Sequence, residues 1–202
     1  MLPRLDSYEA VRREFSWRIP REYNLGVDLC DKWAHEPSRL ALIHEAREGG
    51  VRRYSFADMR ALSNRAANLF RQFGISKGDR IGILLPQEPE TAIAHIAAYK
   101  LGAIAVPLFT LFGVDALRYR LQDAGVKLLV TDARNAEKLA QIRGELPGLE
   151  IVLTIDTAAS DAGDFHAALA QASDVFTPVS TLAGDPALLI YTSGTTGPPK
   201  GA

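Results

Sequence analysis

The chain has 202 residues, is 47% hydrophobic and carries 23 basic against 24 acidic residues, a formal net charge of -1. This size is enough for one large domain or two small ones, and the near-neutral charge argues against a nucleic-acid partner, which requires a basic face. The most apolar stretch, residues 91–109, is interrupted by Lys100, Gly102 and Pro107, so we expect no membrane span.

The first 36 residues predict a leader followed by a short helix. Residues 1–23 are charged and aromatic, and we expect an irregular leader that packs on the domain. Residues 24–36 have apolar positions at helical spacing and contain the only cysteine, Cys30. A single cysteine is typical of a reducing compartment, so we expect a cytoplasmic protein in which Cys30 is a buried structural thiol.

A hairpin and one long helix are predicted next. Segments 39–46 and 51–56, separated by Gly49 and Gly50, are typical of a β-hairpin. Ser55 and Asp58 then form an N-cap signature of the capping-box type, and an apolar stripe at steps of three and four follows as far as Phe73. This pattern predicts an amphipathic helix.

Strands and helices alternate through the rest of the chain. Such alternation predicts an α/β fold, a mostly parallel sheet flanked by helices. We expect an α/β subdomain over residues 24–184, and a strand with its following loop over 185–202 that begins the next section. The predicted strands are 79–86, 103–108, 126–132, 149–156 and 186–192, and the predicted helices are 88–102, 114–125, 135–146 and 164–173.

Residues 192–201 combine the residue types that bind phosphate. Glycines allow backbone amides to face an anion, threonine and serine hydroxyls add donors, and Lys200 supplies a point charge. The loop follows the last predicted strand, and α/β sheets bind ligands at the carboxyl ends of their strands. A surface turn rich in glycine and threonine is the alternative interpretation of the same composition. The glycines and hydroxyl residues are Thr192, Ser193, Gly194, Thr195, Thr196, Gly197 and Gly201.

The spacing in this loop excludes two common nucleotide motifs. A Walker A loop places Gly-Lys-Ser/Thr after Gly and four residues, whereas Lys200 is followed here by Gly201. No G-x-G-x-x-G pattern is present either, so the dinucleotide-binding interpretation loses its main support.

The segment "YTSGTTGPPKG" (191–201) resembles the phosphate-loop signature of the adenylate-forming enzymes, the superfamily that includes the acyl-CoA synthetases. The segments "YSFADMRALSNRAANLF", "KGDRIGILLPQEPE", "AYKLGAIAVPLF" and "LVTDA" resemble that family's N-terminal blocks in the same order. The resemblance covers nearly the whole chain. Within the superfamily, "FSWRIPREYNLGVDLCDKWA" and "PLFTLFGVDALRYRL" look most like the acetyl- and medium-chain acyl-CoA synthetases.

The resemblance implies a two-step ligase reaction. A small carboxylic acid attacks the α-phosphorus of ATP, with Mg²⁺ present, and the thiol of coenzyme A then displaces AMP from the acyl-adenylate. By motif match, the residues implied to contact the ATP phosphates are Thr192, Ser193, Gly194, Thr195, Thr196, Gly197 and Lys200. No catalytic residue and no metal ligand is expected among the 202 residues.

The family's chains are far longer, and their adenine-binding segment, their ribose-binding aspartate and the lysine that acts in adenylation have no counterpart in these residues. We therefore expect an N-terminal fragment that is inactive alone. A sheet cut after its last strand would leave an apolar edge, so self-association or disorder around residues 192–202 is expected.

Two other functions fit the same residues. The chain could belong to an adenylation domain that serves a carrier protein, which the residues downstream would reveal. It could instead be a short, non-catalytic α/β binding protein, which a stop codon directly after Ala202 would support.

Overall fold

Five parallel strands form the central sheet of the computed structural model, which describes residues 4–156, 162–192 and 197–202. The helices are α1 (Tyr8–Glu14), α2 (Leu25–Leu29), α3 (Phe56–Gln72), α4 (Pro89–Leu101), α5 (Val114–Ala124), α6 (Ala133–Ala140) and α7 (Phe165–Gln171). The strands are β1 (Leu40–Glu45), β2 (Val51–Ser55), β3 (Arg80–Leu84), β4 (Ile104–Pro107), β5 (Val126–Thr131), β6 (Ile151–Thr154), β7 (Gly163–Asp164), β8 (Tyr191–Thr192) and β9 (Lys200–Gly201). Short 3-10 turns lie at Asp31–Trp33 and Arg143–Glu145.

The central sheet has the order β4-β3-β5-β6-β7, and every neighbouring pair is parallel. One core packs α3, α4 and α7 on one face of the sheet, and a second core packs α5 and α6 on the other. Coverage of both faces explains the nearly continuous apolar runs of β3 and β5. The predicted α/β fold with a parallel sheet flanked by helices is therefore confirmed.

Local capping residues define the two long helices as the sequence predicts. The Ser55 hydroxyl accepts from the Asp58 amide at 3.1 Å, and the Asp58 carboxylate accepts from the Ser55 amide at 2.8 Å, which makes a capping box at the start of α3. In α4, Pro89 occupies the first turn and Gly102 closes the helix with a left-handed φ of 67°.

The predicted hairpin is also confirmed. β1 and β2 pair antiparallel, and the turn between them contains Gly49 and Gly50 with φ of 92° and 95°. Residues with a Cβ rarely adopt this conformation, so the two glycines determine where the chain reverses.

The leader is not wholly irregular, contrary to expectation. Residues 8–14 form α1, because the Ser7 side chain accepts from the Ala10 amide and caps a first turn that contains Glu9. Backbone hydrogen bonds then join Tyr23 to Thr181 and Arg21 to Ala183.

The helix predicted over residues 135–146 is displaced. It begins at residue 133 because Asp132, which the sequence assigns to the preceding strand, accepts from the Asn135 amide at 2.7 Å and acts as N-cap. It ends at Ala140, and a 3-10 turn occupies part of the remaining span.

The strand predicted over residues 186–192 is only partly formed. Ala187 and Leu189 exchange backbone hydrogen bonds with Ala105 of β4, both 2.9 Å, which extends the parallel sheet by an isolated bridge. The strand β8 contains only Tyr191 and Thr192, and it pairs antiparallel with β9 rather than with the parallel sheet.

Candidate functional site

The described arms of the predicted phosphate-binding loop form a two-stranded hairpin. Tyr191 lies opposite Gly201 and Thr192 lies opposite Lys200, while Ile190 and Ala202 exchange two backbone hydrogen bonds of 2.9 and 3.0 Å. The expected self-association or disorder around residues 192–202 stays a prediction. The predicted contacts Ser193, Gly194, Thr195 and Thr196 lie outside the described residues.

The three described contact residues lie at the loop end of this hairpin. Thr192, Gly197 and Lys200 are all exposed, and pairing of the strands brings Lys200 next to Thr192. Gly197 has a φ of 100°, in the left-handed region that a turn of successive inward-facing amides requires. This geometry suits an anion held by hydroxyls, amides and one ammonium group.

Gly201 has a packing role that the sequence did not reveal. A Cβ built on it would lie 2.9 Å from Leu189 Cδ1 and 3.3 Å from Tyr191 Cζ. A side chain at this position would therefore displace the Leu189 and Tyr191 side chains on which β9 rests.

The hairpin lies at the carboxyl end of a parallel strand. The preceding residues 187–189 run parallel to β4 and reach the end of the sheet just before β8 begins. This is the position at which open α/β sheets bind their ligands. The same end exposes apolar side chains, namely Phe109, Leu111, Leu188 and Ile190.

Side chains of α5 contact both arms of the hairpin. The Tyr119 hydroxyl donates to the Pro199 carbonyl at 3.0 Å, and the Tyr191 hydroxyl donates to Asp123 Oδ2 at 2.5 Å. The two tyrosine rings meet edge to face, with centroids 6.4 Å apart. Burial, and then the hydrogen bond to Asp123, raises the pKa of the Tyr191 hydroxyl.

A buried cation completes this contact. Arg120 is 7% exposed, and its guanidinium carbon lies 4.1 Å from the Phe112 ring centroid and 5.7 Å from that of Tyr191. Its Nη1 donates to the Ala116 carbonyl, while no described residue accepts a hydrogen bond from its Nε. The aromatic faces therefore provide much of the stabilisation of its charge.

Sequence reasoning missed these α5 residues. Tyr119, Arg120 and Asp123 belong to a helix pattern far from the loop along the chain, and nothing in their spacing indicates a contact with residues 191–199. The sequence indicates Tyr191 only as the first residue of the loop motif.

A separate groove lies away from the hairpin. A cavity of about 1020 Å³ separates leader residues such as Phe15 and Trp17 from residues 178–183. None of the described loop residues lines it. Asp28 in its wall accepts from the Tyr23 hydroxyl and pairs with Lys32.

Neither a metal-binding cluster nor a membrane-spanning helix occurs in the part of the chain that the structure describes. Within the ranges 4–156, 162–192 and 197–202, no group of three or more His, Cys, Asp or Glu side chains is arranged to hold a metal ion. In the same part of the chain, no helix has the length and apolar character needed to cross a membrane.

The family comparison gives a clear result. A model of the family described as "AMP-binding enzyme" matches residues 30–202, which is most of the chain. The chain belongs to the AMP-binding enzyme family. The resemblance predicted from the loop and from the N-terminal blocks is therefore confirmed.

Curated relatives of this AMP-binding enzyme are acyl- and acetyl-CoA synthetases. It is 34% identical to an acetyl-coenzyme A synthetase of Gemmatimonas aurantiaca, over 92% of this chain and 33% of the relative. It is 29% identical to the mitochondrial acyl-coenzyme A synthetase ACSM3 of Mus musculus, over 96% of this chain and 35% of the relative. The chain thus spans about a third of the length of these relatives.

Solved structures show the same fold. An acyl-CoA synthetase of Brucella canis superposes with a TM-score of 0.88 and 33% identity, over 98% of this chain and 38% of that one. The anthranilate CoA ligase AuaEII, solved in complex with anthranoyl-AMP, gives a TM-score of 0.81 and 26% identity, over 91% of this chain and 35% of that one.

Proposed function

We propose that this chain is the N-terminal part of an ATP-dependent acyl-CoA synthetase, whose loop at 192–200 holds the β- and γ-phosphates of ATP. The observation that carries the proposal is the hairpin at the carboxyl end of the sheet, in which the exposed residues Lys200 and Thr192 are paired across the two strands. The proposed phosphate contacts are Thr192, Ser193, Gly194, Thr195, Thr196, Gly197 and Lys200.

The role of the loop is positioning and charge stabilisation. A carboxylate attacks the α-phosphorus, pyrophosphate leaves, and negative charge develops on its bridging oxygen. Lys200 and the loop donors stabilise that charge and hold the phosphate chain in line with the attacking carboxylate. In the second half-reaction the coenzyme A thiol attacks the acyl carbonyl and AMP leaves.

The accompanying metal would be Mg²⁺ bound to the ATP phosphates. Magnesium commonly retains waters and binds to substrate phosphates rather than to an all-protein cage. The loop hydroxyls and the ammonium group are suited to the phosphate oxygens that remain free.

The proposal is tested by carboxylate-dependent exchange of pyrophosphate into ATP, measured with a panel of short- and medium-chain acids on the protein as its gene encodes it. We expect Lys200→Ala to reduce the exchange rate by about 10²-fold, because the variant loses one preorganised positive charge that stabilises the leaving pyrophosphate. Lys77→Ala, which removes a partly exposed lysine paired with Asp185, is the matched control and should retain the wild-type rate.

Thioester formation then separates the candidate functions. Release of acyl-CoA after exchange supports the synthetase. Exchange without transfer to coenzyme A, but with transfer to a carrier protein, would identify an adenylation domain instead. Absence of exchange with every acid would contradict both enzymatic functions.

We further propose that the 202 residues by themselves do not catalyse the reaction. The curated relatives are about three times as long, and every ATP contact proposed for this chain is with the phosphates. The exposed Leu188 and Ile190 beside β4 also support self-association of the isolated chain. Exchange activity in purified 1–202, or a monodisperse monomer in sedimentation, would contradict these two expectations respectively.

A further inference from the structure

The phosphate loop has an anchor on each of its two arms, and both anchors belong to one helix. The arm before the loop is held through Tyr191, whose hydroxyl donates to Asp123 at 2.5 Å. The arm after the loop is held through Pro199, whose carbonyl accepts from the Tyr119 hydroxyl at 3.0 Å. Tyr119 and Asp123 are four residues apart in α5, so they lie on the same face of the helix.

The bond to Pro199 acts directly on the residue that follows it. The Pro199 carbonyl belongs to the peptide group that also contains the Lys200 nitrogen, so the Tyr119 hydroxyl determines the orientation of that peptide plane. The proline ring fixes φ of residue 199, one bond before the Cα–C bond that carries this carbonyl. Strand pairing with Thr192 gives Lys200 a further constraint.

The side chains between α5 and the hairpin pack closely against one another. Tyr119 and Tyr191 pack edge to face, the Arg120 guanidinium lies 5.7 Å from the Tyr191 ring centroid, and Gly201 leaves room for that ring. Arg120 and Tyr191 are 7% and 8% exposed, whereas Asp123 is exposed, so the bond between Tyr191 and Asp123 is buried on its tyrosine side only. A hydrogen bond to a charged acceptor is among the stronger ones in proteins.

We propose that α5 positions the phosphate loop, with Tyr119 and Asp123 acting as positioning residues that fix Lys200 for ATP. This inference rests on the proposed function of the loop. It adds a residue on α5 for each arm, and it makes Tyr191 an anchor of the arm before the loop.

The first test measures whether α5 holds the hairpin, without reference to activity. Amide hydrogen exchange of Ile190 and Ala202 reports hairpin opening, since these amides bond across its base. Tyr119→Phe and Tyr191→Phe each remove one hydroxyl and keep the ring, and each should speed this exchange about fivefold. The Ile81 amide in β3 should not change. Unchanged exchange at Ile190 and Ala202 would overturn the proposal.

The second test measures whether the anchor acts through Lys200. In the protein as its gene encodes it, Tyr119→Phe should lower kcat/KM for ATP about fivefold and leave KM for the carboxylate within about twofold. In a Lys200→Ala background the same substitution should have no further effect. Equal losses in both backgrounds, or unchanged kinetics beside faster amide exchange, would overturn the positioning role.

Conservative variants separate positioning from general damage. Asp123→Asn keeps an acceptor oxygen but not the charge, so it should speed amide exchange at Ile190 and Ala202 less than Asp123→Ala, which should behave like Tyr191→Phe. Tyr54→Phe, on β2 at the other core, is the matched control and should leave both tests unchanged. If the wild-type protein shows no carboxylate-dependent exchange, the proposed function fails, and amide exchange alone then decides whether α5 holds the hairpin.

Discussion

Replacing Lys100 with methionine should strongly destabilise the fold, because this lysine is fully buried at 0% exposure. Its ammonium group lies 2.7 Å from Asp31 Oδ1, 2.7 Å from Asn64 Oδ1 and 2.9 Å from Ser63 Oγ. These contacts join the 3-10 turn at residues 31–33 to α3 and α4. Lys100→Met fits the same space but leaves the Asp31 carboxylate, 18% exposed, without its cation.

Loss of one partner from a buried ion pair costs about 3–5 kcal/mol, and the partial exposure of Asp31 places the expected loss near the lower limit, about 3 kcal/mol. Lys77→Met is the control, because Lys77 is 43% exposed although it lies equally close, 2.7 Å, to Asp185. A surface pair of this kind contributes about 0–1 kcal/mol. Urea unfolding at pH 7 measures both variants.

The pH dependence gives the same experiment a second readout. Burial lowers the pKa of Lys100 below its ordinary value of 10.5, and Asp31 opposes this shift. The unfolded chain therefore binds this proton more tightly, so the stability of the wild type relative to Lys100→Met should rise as the pH approaches 10.5 and should be constant at lower pH. A loss of under about 1 kcal/mol in Lys100→Met at pH 7 would refute the reasoning.

Three further predictions concern stability. Gly26→Ala should cost about 2–3 kcal/mol in urea unfolding, because its Cβ would lie 2.9 Å from the Lys100 backbone nitrogen and 3.0 Å from the Ile96 carbonyl oxygen. Gly113→Ala, with nothing within 4 Å of its Cβ, should cost under about 1 kcal/mol, and equal costs for the two variants would refute the steric argument. Burial raises the pKa of the Cys30 thiol from 9.0 to about 11, so the wild type should lose about 2 kcal/mol relative to Cys30→Ala as the pH rises from 9 to 11, and parallel pH profiles would contradict this. Ser55→Ala should lower the thermal midpoint through a loss of about 1 kcal/mol, since it removes the N-cap of α3, and an unchanged midpoint would count against that role.

Features that depend on neighbouring residues were predictable. The capping box of Ser55 and Asp58, the turn at Gly49 and Gly50, and the stop of α4 at Gly102 each arise within a few residues of chain, where backbone preference dominates. The alternation of strands and helices likewise predicted the parallel sheet, because handedness and coverage leave few other arrangements. The element boundaries were less accurate where an N-cap such as Asp132 looked like the end of a strand.

The candidate site was predictable in composition but not in its support. The motif at 191–201 indicated phosphate binding through its glycines, hydroxyls and Lys200, and these roles remain predictions. The strand pairing of this segment could not be predicted, because an apolar run does not reveal whether its partner is β4 or the chain that returns after the loop. The contacts of Tyr119 and Asp123 in α5 with this segment could not be predicted either, because the sequence pattern does not reveal long-range partners.

The sequence by itself determined the family, the parallel α/β fold and the residue types of the phosphate loop, because these depend on local patterns and on one long motif. Only the tertiary structure decided which residues hold that loop and which charges are buried. In the sequence, Lys100 interrupts an apolar stretch and Tyr119 is one residue of a helix. Folding brings the first to Asp31 and the second to Pro199, and those long-range contacts give each residue its role.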